Sequence, residues 1–118
     1  MAGYRKDRVS EDIKREIVAI IRELKDPRIQ GMLTVVRVDV STDTTSAKVY
    51  ISALEGIETA KLAVKGLESA TGRIRREVGG KLRLRVAPEL KFIADDSVER
   101  GVGIAKILSD LKVAKDED

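Results

Sequence analysis

The chain has 118 residues, of which 42% are hydrophobic and 36% are charged, and its formal net charge is +3. This length and composition are typical of one domain with a single modest core and a heavily charged surface. The chain has neither cysteine nor histidine. Their absence excludes disulfides and cysteine-based metal sites and argues against most hydrolases and metalloenzymes, so we predict neither a metal nor a cofactor.

The sequence also argues against a membrane partner. No apolar run approaches the roughly 18 residues that a membrane span requires. The N-terminus is charged from Arg5 onward, which is unlike a secretion signal. We therefore predict a cytoplasmic protein.

The first half of the chain predicts a helix and two strands. Apolar residues recur at helical spacing from about Asp7 to Leu24, and Pro27 ends the helix. The segments Leu33–Ser41 and Ser46–Leu54 alternate in side-chain character, and the short turn between them predicts an antiparallel hairpin. The predicted faces are Thr34, Val36, Val38 and Val40 against Leu33, Val35, Arg37 and Asp39 in the first strand, and Ala47, Val49, Ile51 and Ala53 against Lys48, Tyr50 and Ser52 in the second. The ring of Tyr50 either covers the open face of the sheet or stacks on a base.

A broken helix follows the hairpin. An apolar face continues from Ala60 to Val78, although Ser69–Gly72 interrupts it with small residues. Glycine is unfavourable inside a helix, and such interruptions cause sharp kinks. The sequence therefore predicts two helical segments that meet at Gly72, with Thr71 as the N-cap of the second.

The last part of the chain predicts a strand and a helix. The pair Gly79-Gly80 is predicted to end the second helical segment. An extended segment with one apolar and one wholly basic edge then covers Lys81–Val86. Glu89–Asp95 reads as a third strand, and Ser97–Leu111 reads as an amphipathic helix.

Positive charge is concentrated just after the predicted break. Between Gly72 and Arg85 six basic residues accompany a single acid, Glu77, which gives +5 over 14 residues. The backbone N–H groups at the start of a helix attract phosphate, and clustered arginines strengthen that attraction, so nucleic acid is the natural partner. The alternative is a solvated helix face with a break that serves packing alone.

The order of elements predicts an α+β fold, in which a three-stranded sheet carries the helices on one face. An αββ start, a broken helix pair and a closing strand form the order of a type II KH domain, which binds nucleic acid where its two central helices meet. The GXXG loop usual at that place is absent, and Ala70-Thr71-Gly72 replaces it. We expect one KH-like RNA-binding domain over residues 1–112, with the C-terminal helix, and a charged tail over residues 113–118.

Several short motifs follow one another over nearly the whole chain. They are Arg8-Val9 with Ile13, Lys25-Asp26-Pro27-Arg28, Ala47–Ser52, Ala70-Thr71-Gly72-Arg73-Ile74-Arg75, Leu84–Phe92, and Asp95-Asp96-Ser97 through Gly101 to Ile104. In this order and spacing they resemble the bacterial ribosome-binding factor A family. The resemblance implies a KH-like domain with an Ala-X-Gly kink at Ala70 and Gly72. It further implies an assembly factor, expected to be a monomer, that binds immature or free 30S ribosomal subunits, assists 5′-end processing of 16S rRNA and supports growth in the cold.

The resemblance also implies the residues that face RNA. The primary candidates are Arg73, Arg75, Arg76, Lys81, Arg83 and Arg85. The secondary candidates are Arg5, Lys6, Arg8, Lys25 and Arg28. Gly72 is expected to serve the kink rather than a contact, and we expect binding without catalysis.

Three alternatives remain at this point. An enzyme would need a catalytic constellation, but the neighbouring carboxylates Asp95 and Asp96 point to opposite faces of a strand. A KH-like module for other RNA would bind generic single strands as well as 30S particles. A protein-binding adaptor would lack the salt dependence that a basic cluster gives.

Overall fold

The computed structural model describes the backbone of residues 2–98 and the side chains of residues 8–98. Within that part of the chain the protein is α+β, and its elements follow the predicted order. They are α1 (Ala2–Glu23), β1 (Leu33–Val40), β2 (Ser46–Ala53), α2 (Ile57–Ser69), α3 (Thr71–Lys81) and β3 (Glu89–Asp95). The predicted C-terminal helix lies outside the described residues except for Ser97 and Val98 at its start, and so do the boundary at residue 112 and the tail over residues 113–118.

The strands form one mixed sheet in the order β1-β2-β3. β1 and β2 pair antiparallel as the predicted hairpin, whereas β2 and β3 pair parallel because the chain crosses over through α2 and α3. Val38, Val49 and Phe92 stand opposite one another across the three strands, and all three are buried. The helices pack on this inward face and enclose a single core with it.

The predicted alternation of β1 is wrong in its first half. Val35 and Val38 are both buried, although they are an odd number of residues apart, and Thr34 is exposed. A β-bulge between Val35 and Arg37 leaves Val36 without an opposite residue on β2. The extra residue shifts the phase of the alternation, so both valines face the core. β2 has no such irregularity, and the predicted apolar face of this strand is buried: Ala47, Val49, Ile51 and Ala53.

α1 begins at Ala2, earlier than predicted, so the basic residues near the N-terminus belong to the helix. Its buried stripe consists of Ile13, Ile17 and Ile20, at the spacing that places side chains on one face. This stripe packs on β1, and α1 also contacts α3. The first helix therefore supports the basic segment that follows the break.

α2 is lined with small buried residues that allow close approach. A Cβ added at Gly66 would lie 2.6 Å from Cγ1 of Ile29, which is far closer than two carbon atoms can approach. Ile29 belongs to the loop between α1 and β1, so this contact places that loop against the C-terminal half of α2. The loop carrying Lys25-Asp26-Pro27-Arg28 thus lies beside the helix break.

The outer face of the sheet is covered in part by its own side chains. The Arg37 guanidinium lies 4.3 Å from the centre of the Tyr50 ring, and its Nε donates to Asp39 at 3.1 Å. Ser52 is fully buried on this face, and its hydroxyl oxygen accepts the backbone N–H of Val98 at 3.4 Å. The contact with Arg37 favours the interpretation that Tyr50 covers the sheet.

Candidate nucleic-acid interface

The helix break lies at Ala70, two residues before the predicted position. Ala70 has φ −99° and ψ 8°, and it stands between the end of α2 and the start of α3. Its N–H donates to the carbonyl oxygens of Gly66 and Leu67, and its own carbonyl accepts from Ile74. The same residue thus closes one helix and opens the next. The prediction that the two segments meet at Gly72 is wrong, whereas Ala70 is one of the two residues where the resemblance placed the kink.

Thr71 does not cap α3, contrary to the prediction. Its hydroxyl donates backwards to the carbonyl oxygens of Leu67 at 3.2 Å and Glu68 at 2.8 Å, at the end of α2. The N-terminus of α3 has no side-chain cap. The helix start is therefore available to an anion, which its backbone dipoles would attract.

Gly72 lies in the first turn of α3 and is exposed. A Cβ added there would meet nothing within 4 Å, so the packing around the break does not require glycine at this position. The expectation that Gly72 serves the kink is therefore not supported by its surroundings. The missing side chain instead leaves the backbone at the start of α3 open to close approach from outside.

The basic side chains of α3 differ in their partners. Arg73 Nε lies 3.6 Å from Oε2 of Glu77, and Lys81 Nζ lies 3.9 Å from Oε2 of Glu16 on α1. Both distances exceed hydrogen-bond length, so the two basic side chains are held only loosely, although their glutamate partners are half-buried and Glu77 Oε2 is buried with no hydrogen-bond partner among the described residues. Arg76 is exposed and makes no hydrogen bond or ion pair within the described part of the chain.

Arg75 is the exception among these residues, because its guanidinium already has a strong internal partner. Its Nε and Nη2 donate to the carbonyl oxygen of Ala87 at 3.1 and 2.9 Å. Ala87 belongs to the loop between α3 and β3. Arg75 was predicted to face RNA, but the structure directs its fork of donors to the protein's own backbone.

The end of α3 differs from the prediction that Gly79-Gly80 stops the helix. The helix continues through both glycines to Lys81. Arg83 N–H donates to Gly80 O at 3.3 Å and Leu84 N–H donates to Gly79 O at 3.0 Å, which together form a Schellman motif. Arg83 holds the left-handed position of this motif with φ 54°, where glycine is usual.

The segment after α3 forms a turn and a bend rather than the predicted extended segment. Leu82 and Leu84 pack against the core, as their predicted apolar edge requires. Arg83 and Arg85 are exposed. Val86, predicted to be on the apolar edge, is 66% exposed because the bend turns it outward.

Arg28 also has internal partners. Its Nη2 donates to Asp26 Oδ2 at 2.6 Å and its Nε donates to Asp26 Oδ1 at 3.0 Å. The same Nη2 lies 3.0 Å from Ser69 Oγ at the end of α2. These bonds from the Arg28 guanidinium and backbone N–H lower the pKa of Asp26 to about 2. Arg28 therefore fixes the loop beside the break, while the neighbouring Lys25 is exposed.

The remaining secondary candidates lie on α1. Arg8 is exposed on this helix. Arg5 and Lys6 belong to its first turns, and their side chains lie outside the described residues. The structure therefore brings Arg73, Arg76, Lys81, Arg83 and Arg85 together on α3 and the loop after it. Sequence reasoning missed the bonds of Arg28 to Asp26 and Ser69 and the bonds of Arg75 to Ala87, since charge alone does not reveal how the loops orient these side chains.

Comparison with known proteins decides the family of this chain. The sequence profile described as Ribosome-binding factor A matches residues 5–108. The ribosome-binding factor A of Clostridium tetani is 44% identical over 119 residues, covering 100% of this chain and 98% of the relative. The chain belongs to the ribosome-binding factor A family. A second family member, from Acetivibrio thermocellus, is 45% identical over 105 residues, with 88% of this chain and 85% of the relative covered.

Solved structures of the family have the same fold. The solution structure of a ribosome-binding factor A from Thermotoga maritima matches with a TM-score of 0.71 and 36% identity, over 81% of this chain and 92% of that one. The crystal structure of the Thermus thermophilus ribosome-binding factor A matches with a TM-score of 0.66 and 30% identity, over 75% and 93%. A homology model of a Thermus thermophilus family member, fitted into a cryo-electron microscopy map of its complex with the 30S subunit, matches with a TM-score of 0.63 and 30% identity, over 75% and 93%.

Two other kinds of site are not found in residues 2–98. No helix there is long and apolar enough to cross a membrane. No group of three or more acidic side chains there is placed to hold a metal ion.

Proposed function

We propose that this protein is a ribosome biogenesis factor that binds free or immature 30S subunits through 16S rRNA, without catalysis. The observation that carries the proposal is the exposed basic surface of α3 and the following loop, which begins at an uncapped helix N-terminus. A Thermus thermophilus family member has been placed in a map of a complex with the 30S subunit, which supports the same partner here. We further propose that the protein acts in the cytoplasm as a monomer.

The proposed mechanism is a shift in the population of rRNA conformations. Guanidinium groups bind phosphate oxygens, which orients a protein on RNA but carries little sequence information. A rigid domain that binds one local rRNA geometry more tightly than others favours that geometry by its difference in affinity. In this way the protein would assist late maturation and 5′-end processing of 16S rRNA and support growth in the cold.

Co-sedimentation with 30S subunits, 70S ribosomes and free single-stranded RNA across a salt series tests the proposal. We expect retention on 30S subunits that weakens as salt rises, because phosphate contacts release counterions. We expect little retention on 70S ribosomes, since an assembly factor leaves before translation. Equal binding to all three would contradict the ribosomal role and favour a KH-like module for other RNA.

A charge-reversal pair identifies the surface. Arg76→Glu with Arg85→Glu should reduce 30S affinity by at least tenfold, because two exposed phosphate ligands become repulsive. The matched control is Lys48→Glu with Lys91→Glu, which changes the same charge on the exposed outer face of the sheet. The two variants should retain the wild-type circular dichroism spectrum. An equal loss of 30S affinity in both variants would show that the effect comes from net charge and not from the surface of α3 and its loop.

A further inference from the structure

The loop between α3 and β3 (residues 82–88) presents two exposed arginines from an unusually constrained backbone. We propose that this loop is a preorganised phosphate-binding element for RNA, and that Arg75 is its positioning residue rather than an RNA ligand. This inference rests on the proposed function, since it assigns roles within the same RNA-binding surface. It distinguishes the arginines that would contact RNA from the arginine that holds the loop in place, a distinction that charge alone cannot make.

The clamp by Arg75 holds the loop from the helix side. Two donors of one guanidinium meet the single carbonyl oxygen of Ala87 at 3.1 and 2.9 Å. Gly79 makes this approach possible, because an added Cβ there would lie 3.0 Å from Cβ of Ala87. The loop therefore lies directly on α3, in contact with a position that has no side chain.

Both ends of the loop are fixed as well. The Schellman motif holds the first end through the N–H groups of Arg83 and Leu84. The N–H of Glu89 donates to the carbonyl oxygen of Thr45 at 2.9 Å, which holds the second end against the start of β2. Leu82 and Leu84 also pack on the core. The exposed side chains between these anchors are those of Arg83, Arg85 and Val86.

A loop that is already fixed before it meets RNA should bind phosphate more tightly than a free one. A charged loop that is free in solution loses conformational entropy when it binds, and a loop already fixed avoids that cost. Arg83 supports this view, because its left-handed backbone is unfavourable for a residue with a side chain. Arg75, by contrast, already uses two of its donors on Ala87, and this clamp fixes its guanidinium on the loop, so we assign Arg75 to positioning rather than to direct contact.

The test uses variants that keep or remove charge. Arg75→Lys keeps the charge but cannot reproduce the two-donor fork on Ala87. We expect it to weaken 30S binding by roughly three- to tenfold, as expected for the loss of one or two hydrogen bonds that order the loop. Arg22→Lys is the control, at an exposed arginine of α1 outside the proposed RNA-binding surface, and it should bind as the wild type does. Amide hydrogen exchange over residues 84–88 should become faster in Arg75→Lys and remain unchanged in Arg22→Lys.

A double-mutant cycle gives the second readout. In a chain carrying Arg83→Gln and Arg85→Gln, the further change Arg75→Lys should have almost no effect on affinity, because the loop no longer presents phosphate ligands. Additive losses, or wild-type affinity and exchange in Arg75→Lys, would overturn the positioning role. Wild-type affinity in the Arg83→Gln, Arg85→Gln chain would overturn the loop's role while leaving 30S binding intact. Failure of the wild-type protein to bind 30S subunits would instead contradict the proposed function.

Discussion

At the scale of single residues, the basic surface consists of arginines with two kinds of environment. Arg28 and Arg75 donate to internal oxygens, whereas Arg76 and Arg85 are exposed and have no such partner within the described residues. The sequence places all four among basic candidates but cannot separate them, because their internal partners depend on how loops fold back. The structure therefore distinguishes candidates that charge alone makes equivalent.

Arg83 provides a test of function against stability. Arg83→Gly should raise the free energy of unfolding by about 1 kcal/mol, because glycine accepts the left-handed conformation that Arg83 holds at φ 54°. The same change should weaken 30S binding severalfold, since it removes an exposed cation. Thermal unfolding and a binding titration measure the two effects.

The control for this prediction is Arg85→Gly at the neighbouring exposed arginine, whose backbone does not have a positive φ. It should lower affinity without raising stability. If Arg83→Gly destabilised the domain, the left-handed residue would be held by favourable side-chain contacts rather than tolerated at a cost.

At the scale of secondary structure elements, the sequence predicts well where one pattern continues without interruption. The residues of β2 alternate in character along its whole length, and its predicted apolar face is buried, although Ser52 on the opposite face is buried as well. The predicted faces of β1 are partly wrong because the sequence pattern does not reveal the bulge at Val36. The helix break was predicted at Gly72, the glycine that interrupts the pattern, but the helix ends at Ala70.

The Gly79-Gly80 prediction fails for a different physical reason. Glycine commonly ends a helix by adopting a positive φ, but here Arg83 takes that position. Gly79 is needed instead because Ala87 packs against it. A small residue is therefore required at Gly79, but the reason is its contact with Ala87, eight positions along the chain, and not the end of the helix.

Two glycines of the broken helix should respond oppositely to the same substitution. Gly66→Ala should destabilise the domain by roughly 1–3 kcal/mol, because the new methyl group would overlap Ile29 at 2.6 Å. Gly72→Ala should stabilise it by up to about 1 kcal/mol, since the methyl group enters open space on a helix. Urea unfolding of both variants measures the difference.

Binding by the Gly72→Ala protein adds a functional readout to this pair. If an RNA phosphate approaches the start of α3 closely, the more stable variant should bind 30S subunits less tightly. Unchanged affinity would show that no RNA group closely approaches the backbone at Gly72. Equal stability changes at Gly66 and Gly72 would contradict the packing described for Ile29.

At the scale of the whole molecule, the fold surrounds the helix break with fixed connections. The Arg28 network ties the loop between α1 and β1 to Ser69 just before the break. The Arg75 clamp ties the loop between α3 and β3 to α3 after it. Sequence patterns predict the helices and strands that these loops connect, but not the side-chain bonds that fix the loops against them. The arrangement of the candidate site thus follows from tertiary contacts at both sides of Ala70.

The ion pair of Asp26 should stabilise the folded protein at neutral pH and make its stability fall in acid. Its pKa in the folded state is about 2, below the ordinary value of 3.8, because the Arg28 guanidinium and backbone N–H bind the carboxylate. The stabilisation is therefore fully present above about pH 4 and is lost as the pH falls toward 2. In urea unfolding, Asp26→Asn should be less stable than the wild type at neutral pH, and the gap in the free energy of unfolding should shrink toward pH 2.

Asp43→Asn is the matched control, because hydrogen bonds from Thr45 and Ser41 also lower the pKa of Asp43, in the hairpin turn far from the break along the chain. Both variants should be less stable than the wild type at neutral pH and should lose less stability on acidification, but only Asp26→Asn should also weaken 30S binding at neutral pH, since only that loop borders the break. A stability gap for Asp26→Asn that stayed constant from pH 7 to pH 2 would contradict the role of the Asp26 charge.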